Sequence, residues 1–417
     1  MANKPAKPAG KPAPQAISRE RGALDGIRVL DLSRILAGPT SAMILGDLGA
    51  DVIKVENPEG GDDTRTFGPA FKAGESAYFM SANRNKRSIL VDLKTEEGQG
   101  IVRALAQVSD VVIENYRLGT LEKLGLGPDA MRERNPRLVT CSISGYGRDS
   151  PLAARAGYDF VIQAEGGLMS IIGDPDGPPY RVGVAIADLI TGNNAAQAVL
   201  AALLAREKTG KGQHIDMALL DCQVAALANI AAGYLMDGRK PGRYGNAHPA
   251  VAPYQQFATR DEPIALAVGN NRQFKTLCKL LGLDAMARDP RFATNAERLK
   301  HVDALIPPIA EKFLTAGRAH WLAKLHEAGL PAGAIRTVDQ VLDSPEVRAR
   351  GLVEEMPHPT LGTARLVASP LRLSETPVRA PRHPPMLGEH TAEVLIEALG
   401  WTKTDAEAYA DRLKAKA

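Results

Sequence analysis

Residues 26–56, GIRVLDLSRILAGPTSAMILGDLGADVIKVE, hold the pattern on which the fold turns. Ile27–Leu32 reads as a strand. Gly38-Pro39 opens a helix, proline being suited to a first turn, and Ala42–Leu48 continues it. Asp51–Glu56 is the second strand. Outward from there the alternation persists. Pro58–Gly68 is a polar loop, Ser88–Leu93 a strand, Thr95–Val108 an amphipathic helix, and Asp110–Glu114 and Arg137–Ser142 further strands. Strands alternating with helices predict an α/β fold with a doubly wound, mainly parallel, Rossmann-like sheet. Ligands of such sheets bind beyond the carboxyl ends of the strands.

The common nucleotide signatures are missing. No G-x-x-x-x-G-K-[ST] run occurs, and SRILAGP follows the first strand where a dinucleotide site would carry G-x-G-x-x-G. No H-E-x-x-H or Cys/His cluster suggests a metal. Basic residues gather instead at predicted loops: Arg84, Lys86 and Arg87 before one strand, Lys94 after it, and Arg117 and Lys123 after another. They suit a phosphate-bearing ligand, although by themselves such residues read first as a solvated face.

Arg181–Arg206 reads RVGVAIADLITGNNAAQAVLAALLAR. Val182–Ala187 is small, apolar and partly β-branched, which predicts a buried strand; Leu189–Leu204 predicts a helix buried on most faces. Between them stands Asp188, with two readings open: a helix N-cap, or a nucleophile held ionised by the same backbone donors. Asp159 carries a similar ambiguity, as cap of a helix Phe160–Leu168 or as a second active-site carboxylate. Further on, Ala218–Met236 reads as one long helix and Gly238–Pro249 as a loop mobile by composition. A second unit then begins, with a strand Pro263–Val268, helices to about Gly329 and a return strand Ala332–Arg336. Leu352–Leu373 reads as short strands, and a terminal helix starts at Thr391. The expected division is a disordered Lys/Pro/Ala-rich tail at 1–22, a large domain at 23–215, a linker helix with a small domain at 216–340, and a return segment at 341–417.

Composition narrows the class. The 417 residues are 44% hydrophobic and 24% charged, ordinary globular usage. A net charge of +3 is too small to argue for nucleic acid. Three scattered cysteines suggest neither a disulfide framework nor zinc, and no run is apolar enough for a membrane span. A cytoplasmic protein is expected.

Several stretches together carry a resemblance: residues 26–56, NRNKRSILVDLK, VIENY, SISGYG, AGYDF, GVAIADLITG and TGKGQHID, in collinear order from about Gly26 to Thr391. They resemble the class III CoA-transferases, a family that also holds formyl-CoA transferase and α-methylacyl-CoA racemase. AGYD, GNAHPAVAPYQQF and VGNNRQF look most like its succinyl-CoA:dicarboxylate branch. The resemblance implies that Asp188 is the nucleophile. It implies a CoA site of Leu36, Ala37, Lys94, Asn115, Tyr116, Arg117 and Lys123, with coenzyme A as cosubstrate and no tightly bound cofactor. It also implies an interlocked homodimer.

Other positions separate the family's chemistries. The formyl enzymes carry glutamine where Leu36 stands and arginine where Asn57 stands, so formyl chemistry is not expected. The racemases carry histidine where Tyr158 stands, and this chain has none before His214. Tyrosine, with an ordinary pKa of about 10, is a poor replacement base, so an α-carbon racemase or isomerase is the weaker alternative. A non-catalytic CoA-binding protein is the third. Asp159 is the second catalytic candidate. Tyr158, Gly245, Asn246 and His248 are candidates for the substrate side, with His248 facing a distal carboxylate and residues 245–250 acting as a lid. Tyr146 and Arg148 are further expected lining residues. Cys141 reads as a small buried residue.

Overall fold

The computed structural model describes residues 22–416, so the expected tail, apart from Gly22, lies outside the described residues. Six strands form the main sheet: β1 (Arg28–Asp31), β2 (Asp51–Glu56), β3 (Lys86–Leu90), β4 (Val111–Glu114), β5 (Val139–Ser144) and β6 (His214–Ala218). Their order is β3-β2-β1-β4-β5-β6, and every adjacent pair is parallel. Helices on both faces bury the strands; Leu30, Ile53, Ile89 and Ile113 are fully buried, and so are the charged side chains of Asp31, Lys54 and Lys86. The direction of winding reverses between β1 and β4, opening a crevice at their carboxyl ends.

Helix α1 (Ala37–Asp47) connects β1 to β2. Helix α2 (Glu96–Gln107) starts where Thr95 accepts from the Gly98 N–H, with Glu96 and Glu97 favouring the positive end of its dipole. The expected strand at Val182–Ala187 does not form. Strand β6 takes the edge of β5, and the run instead enters α3 (Ile186–Thr209). Asp188 therefore lies in the first turn of α3 and not at a strand-to-helix junction. The single helix expected over Ala218–Met236 is also corrected. Ala218 ends β6, and α4 (Leu219–Ala226) and α5 (Ala228–Asp237) meet at a bend of 75°. Ala228 has φ 45 at the break.

The described residues divide into two compact units. One comprises the chain through Tyr158, Ala187–Cys222 and Gly351 onward; the other comprises Asp159–Ile186 and Gln223–Arg350. The second has a three-stranded antiparallel sheet, β7 (Tyr254–Phe257), β8 (Ile264–Ala267) and β9 (Ala332–Ala334), with β8 central. Its core gathers Phe257, Leu266, Phe274, Phe313 and Trp321. In the first unit, Leu352–Leu373 supplies the hairpin Val353–His358 with Gly362–Val367.

The C-terminal segment then covers the edge of β3, which an unpaired strand would leave open to aggregation. Asn85 N–H donates to the Arg382 carbonyl at 3.0 Å, and Leu90 N–H donates to Thr391 Oγ1 at 3.0 Å. Helices α6 (Thr391–Leu399) and α7 (Lys403–Lys414) complete the core with Val394, Leu395, Tyr409 and Leu413.

The basic cluster Arg84, Lys86 and Arg87, at the start of β3, is neither a ligand site nor a solvated face. Arg84 forms a two-point ion pair with Asp47, and Lys86 meets Asp31 at 2.9 Å with both side chains fully buried. Arg87 reaches Asp51, Glu393 and Glu397 at 2.7–2.8 Å, tying α6 to the sheet. Replacing Arg84 by Met strands the buried Asp47 carboxylate. It should cost about 3–5 kcal/mol in urea unfolding, with CoA affinity unchanged in the folded fraction.

Candidate active site

The chain leaves β1 through Leu32-Ser33-Arg34 and turns sharply before α1. Ile35 has φ 71, a left-handed conformation that a β-branched residue adopts only when its surroundings enforce it. Across the switch point, Asn115 at the end of β4 grips this turn. Its Oδ1 accepts from the Arg34 N–H at 2.9 Å and its Nδ2 donates to the Arg34 carbonyl at 2.7 Å. The two loops are thus locked together at the place where the topology opens a crevice.

A cavity of about 170 Å³ lies there, lined by Arg34–Ala37, Asn115–Leu118, Ile143–Gly145, Ala153–Tyr158, Asp188 and Leu219. Asp188 is only 9% exposed. Its place in the first turn of α3 puts a carboxylate against the positive end of a 24-residue helix. Packing between α3 and α1 depends on Gly192. A Cβ there would stand 2.7 Å from the Ala37 carbonyl oxygen and 2.9 Å from Thr40 Cβ. One helical turn separates Gly192 from Asp188, so this close approach sets where the carboxylate sits relative to Leu36 and Ala37.

A second groove, about 340 Å³, runs along the ends of β2 and β3. It is lined by Lys54, Asn57, Asp62, Val91–Lys94, Thr120 and Leu124 among others, and it shares Arg34 and Tyr116 with the first. Together they form one surface along successive strand ends, suited to an extended ligand. The Arg34 guanidinium stands 5.6 Å from the Tyr116 ring centre and pairs with Asp63 at 3.0 Å.

Beneath the turn lies a fully buried charge network. Lys54 Nζ meets Asp62 at 2.8 Å and donates to the Ser33 carbonyl at 2.9 Å. Burial would lower the Lys54 ammonium, but Asp62, Asp31 and Glu56 hold it above its ordinary value. Burial would raise Asp62, yet Lys54 and the Thr64 donors hold it down at about 2. Burial lowers Lys86 to about 8 against the opposing pull of Asp31.

The structure thus brings Leu36, Ala37, Asn115, Tyr116, Arg117, Tyr158 and Asp188 to one cavity and Lys94 to the adjoining groove. Lys123 is exposed and lines neither. Tyr146 is buried beneath Arg155, whose guanidinium is 5.0 Å from its ring centre. Arg148 is not a lining residue of the Asp188 cavity. It bonds Glu122 and the Asp216 carboxylate and faces a different hollow with His214.

Asp159 belongs to the second unit. It is the first residue of the helix Asp159–Glu165 and accepts from Gln163 Nε2 at 2.7 Å. Gly245, Asn246 and His248 also belong to that unit, in a turn held by its own bonds. His248 Nδ1 accepts from the Ala250 N–H at 3.0 Å, and Asn246 Nδ2 donates to Gln256 Oε1 at 3.1 Å. Cys141 is fully buried and its thiol is pushed up by burial, as suits a packing residue. Sequence reasoning missed Arg34 and Arg155. Arg34 lies within the quoted stretch 26–56 with no role assigned to it, Arg155 lies outside every quoted stretch, and their loops converge only through the sheet order.

Residues 24–391 match the model of CoA-transferase family III. The chain belongs to that family. It is 47% identical over 380 residues to the succinate–glutarate CoA-transferase of Agrobacterium fabrum, spanning 90% of this chain and 95% of that protein. It is 45% identical over 386 residues to the succinyl-CoA:glutarate CoA-transferase of Homo sapiens, spanning 93% and 88%. A solved CaiB/BaiF family protein from Brucella suis superposes with a TM-score of 0.81 at 46% identity, over 91% of this chain and 100% of that one.

The Gly192 contact gives a test of how the enzyme places its carboxylate. Gly192→Ala should lower kcat about 10- to 100-fold, the scale of an ångström-sized misplacement. Gly100→Ala, on an open face of α2, should leave it unchanged in the same steady-state assay.

Proposed function

We propose that this enzyme moves CoA from succinyl-CoA to a free dicarboxylic acid, glutarate foremost, with Asp188 as the nucleophile. The observation that carries the reading is a single buried carboxylate at the topological switch point, inside a cavity continuous with a groove along the strand ends. The names of the relatives at 45% and 47% identity support the two substrates.

The chemistry follows from what a carboxylate can do to a thioester. With an ordinary pKa of about 3.9, aspartate is ionised at neutral pH without a general base. Asp188 attacks the thioester carbonyl; the C–S bond breaks, leaving a mixed anhydride and CoA thiolate. The thiolate attacks the aspartyl carbonyl, succinate departs, and an aspartyl-CoA thioester remains. The acceptor carboxylate attacks this thioester to give a second anhydride and thiolate. Attack by the thiolate on the acceptor carbonyl then releases the new CoA ester and restores Asp188. One difficult exchange is divided into easier acyl transfers. Thioester is traded for thioester, so the energy of the bond is conserved without ATP.

In this reading Leu36, Ala37, Lys94, Asn115, Tyr116 and Arg117 hold CoA, and Tyr158 borders the acyl group. Lys123 would serve the CoA phosphates from an exposed position. Asp159, Gly245, Asn246 and His248, in the second unit, are carried as substrate-side candidates by the family resemblance. A second copy of the chain completes the assembly as an interlocked homodimer. The apolar helix α5 supports this, because none of its residues is buried and Leu235 and Met236 are 81% and 88% exposed. A cytoplasmic setting fits three free, buried cysteines.

Mass analysis of CoA esters should show glutaryl-CoA forming from succinyl-CoA and glutarate without ATP, and Asp188→Ala should remove at least 10³-fold of the rate. No new ester with any diacid would overturn the assignment. Light scattering should return twice the chain mass.

A further inference from the structure

We propose that Lys54 and Asp62 are positioning residues for CoA transfer, fixing from beneath the turn that lines the pocket with Asp188. The proposal rests on Asp188 as the nucleophile and concerns what holds the wall of its pocket.

Besides the Asn115 bonds to Arg34, the turn from Ser33 to Pro39 is gripped from beneath at three points. Near its start, the Ser33 carbonyl accepts from Lys54 Nζ at 2.9 Å. At its strained residue, Ile35, the N–H donates to Asp62 Oδ1 at 3.3 Å. At its end, the Pro39 carbonyl accepts from Lys86 Nζ at 2.9 Å. Arg34, Ile35, Leu36 and Ala37, between these points, are the lining residues contributed by this loop.

Asp62 unites the first two grips. Its Oδ2 meets Lys54 Nζ at 2.8 Å, and its Oδ1 also accepts from the Thr64 N–H at 3.0 Å and the Thr64 hydroxyl at 2.8 Å. Its own N–H donates to Glu56 Oε2 at 3.0 Å. One carboxylate therefore ties β2, the loop after it and the strained turn into a single frame.

The pair is an odd choice if stability alone is at stake. Both side chains are wholly shielded from water, and buried ion pairs are commonly matched or bettered in stability by apolar residues of similar volume. An apolar pair would fill the space. It would not hold a carbonyl on one side and accept an N–H from a left-handed isoleucine on the other. Those directional bonds keep Leu36 and Ala37 in register with Asp188, and a reacting geometry is sensitive to displacements of about 1 Å.

The test is the double variant Lys54→Met/Asp62→Asn. It removes both charges together and keeps an oxygen acceptor for Ile35 and Thr64, so no buried charge is left unpaired between these two positions. Succinyl-CoA and glutarate are the probes, and rates are read as ratios to wild type. If wild type itself transfers nothing, the proposed function fails, and that result is separate from this one.

The expected result is a variant with a thermal midpoint close to wild type and kcat at least tenfold lower, with KM for succinyl-CoA altered less than threefold. A folded variant with kcat within twofold of wild type overturns the proposal. So does a rise in KM at unchanged kcat, which would make the pair a binding element of the groove. Should the double variant not fold, Asp62→Asn alone is judged by the same split between kcat and KM.

Discussion

Two lysines with no access to water, Lys54 and Lys86, sit under the first loop of the sheet, each among carboxylates that oppose the cost of burying its charge. Lys54 comes from β2, beside β1, and Lys86 from β3, one strand further out, and each is matched by a carboxylate, Asp62 or Asp31. In a low-dielectric interior such groups are tolerated when their hydrogen bonds are complete. Completing them requires Ser33, Pro39, Asn83 and Thr64 to be where they are. The loop from β1 to α1 is therefore a consequence of charge satisfaction below it, and the pocket wall is a consequence of the loop.

The same economy of position appears where helices meet. Gly192 lets α3 approach α1 closely, which brings the first turn of α3 to the end of the sheet where the winding reverses. Asp188 gains partial burial and a favourable helix dipole from this arrangement. The cavity around it needs no dedicated binding motif. It is produced by the reversal of winding between β1 and β4, and the Asn115–Arg34 bonds hold the two rims at a fixed spacing.

The alternation of strand and helix patterns identified the parallel sheet, because parallel strands are joined by crossovers that are usually helical. Local pattern failed at Val182–Ala187, a strand-like composition that pairs with no strand and becomes the approach to a helix. It failed again at Ala218–Met236, where continuous apolarity concealed a sharp bend at Ala228. The cluster Arg84, Lys86 and Arg87 was read as ligand or surface because its partners lie far away in sequence. Asp31, Asp47, Asp51 and Glu393 become neighbours only across strands and through the returning C-terminus.

By itself the amino-acid sequence determined the fold class, the family and the identity of Asp188 as the residue to examine, since these depend on local pattern and collinear motifs. Tertiary structure alone decided that Arg34, Tyr116, Tyr158 and Asp188 share a cavity, that Lys123 stands outside it, and that the basic cluster serves the interior. Those facts depend on strand order and on the burial of paired charges. Both are long-range properties, set by which segments meet and not by what any one segment contains.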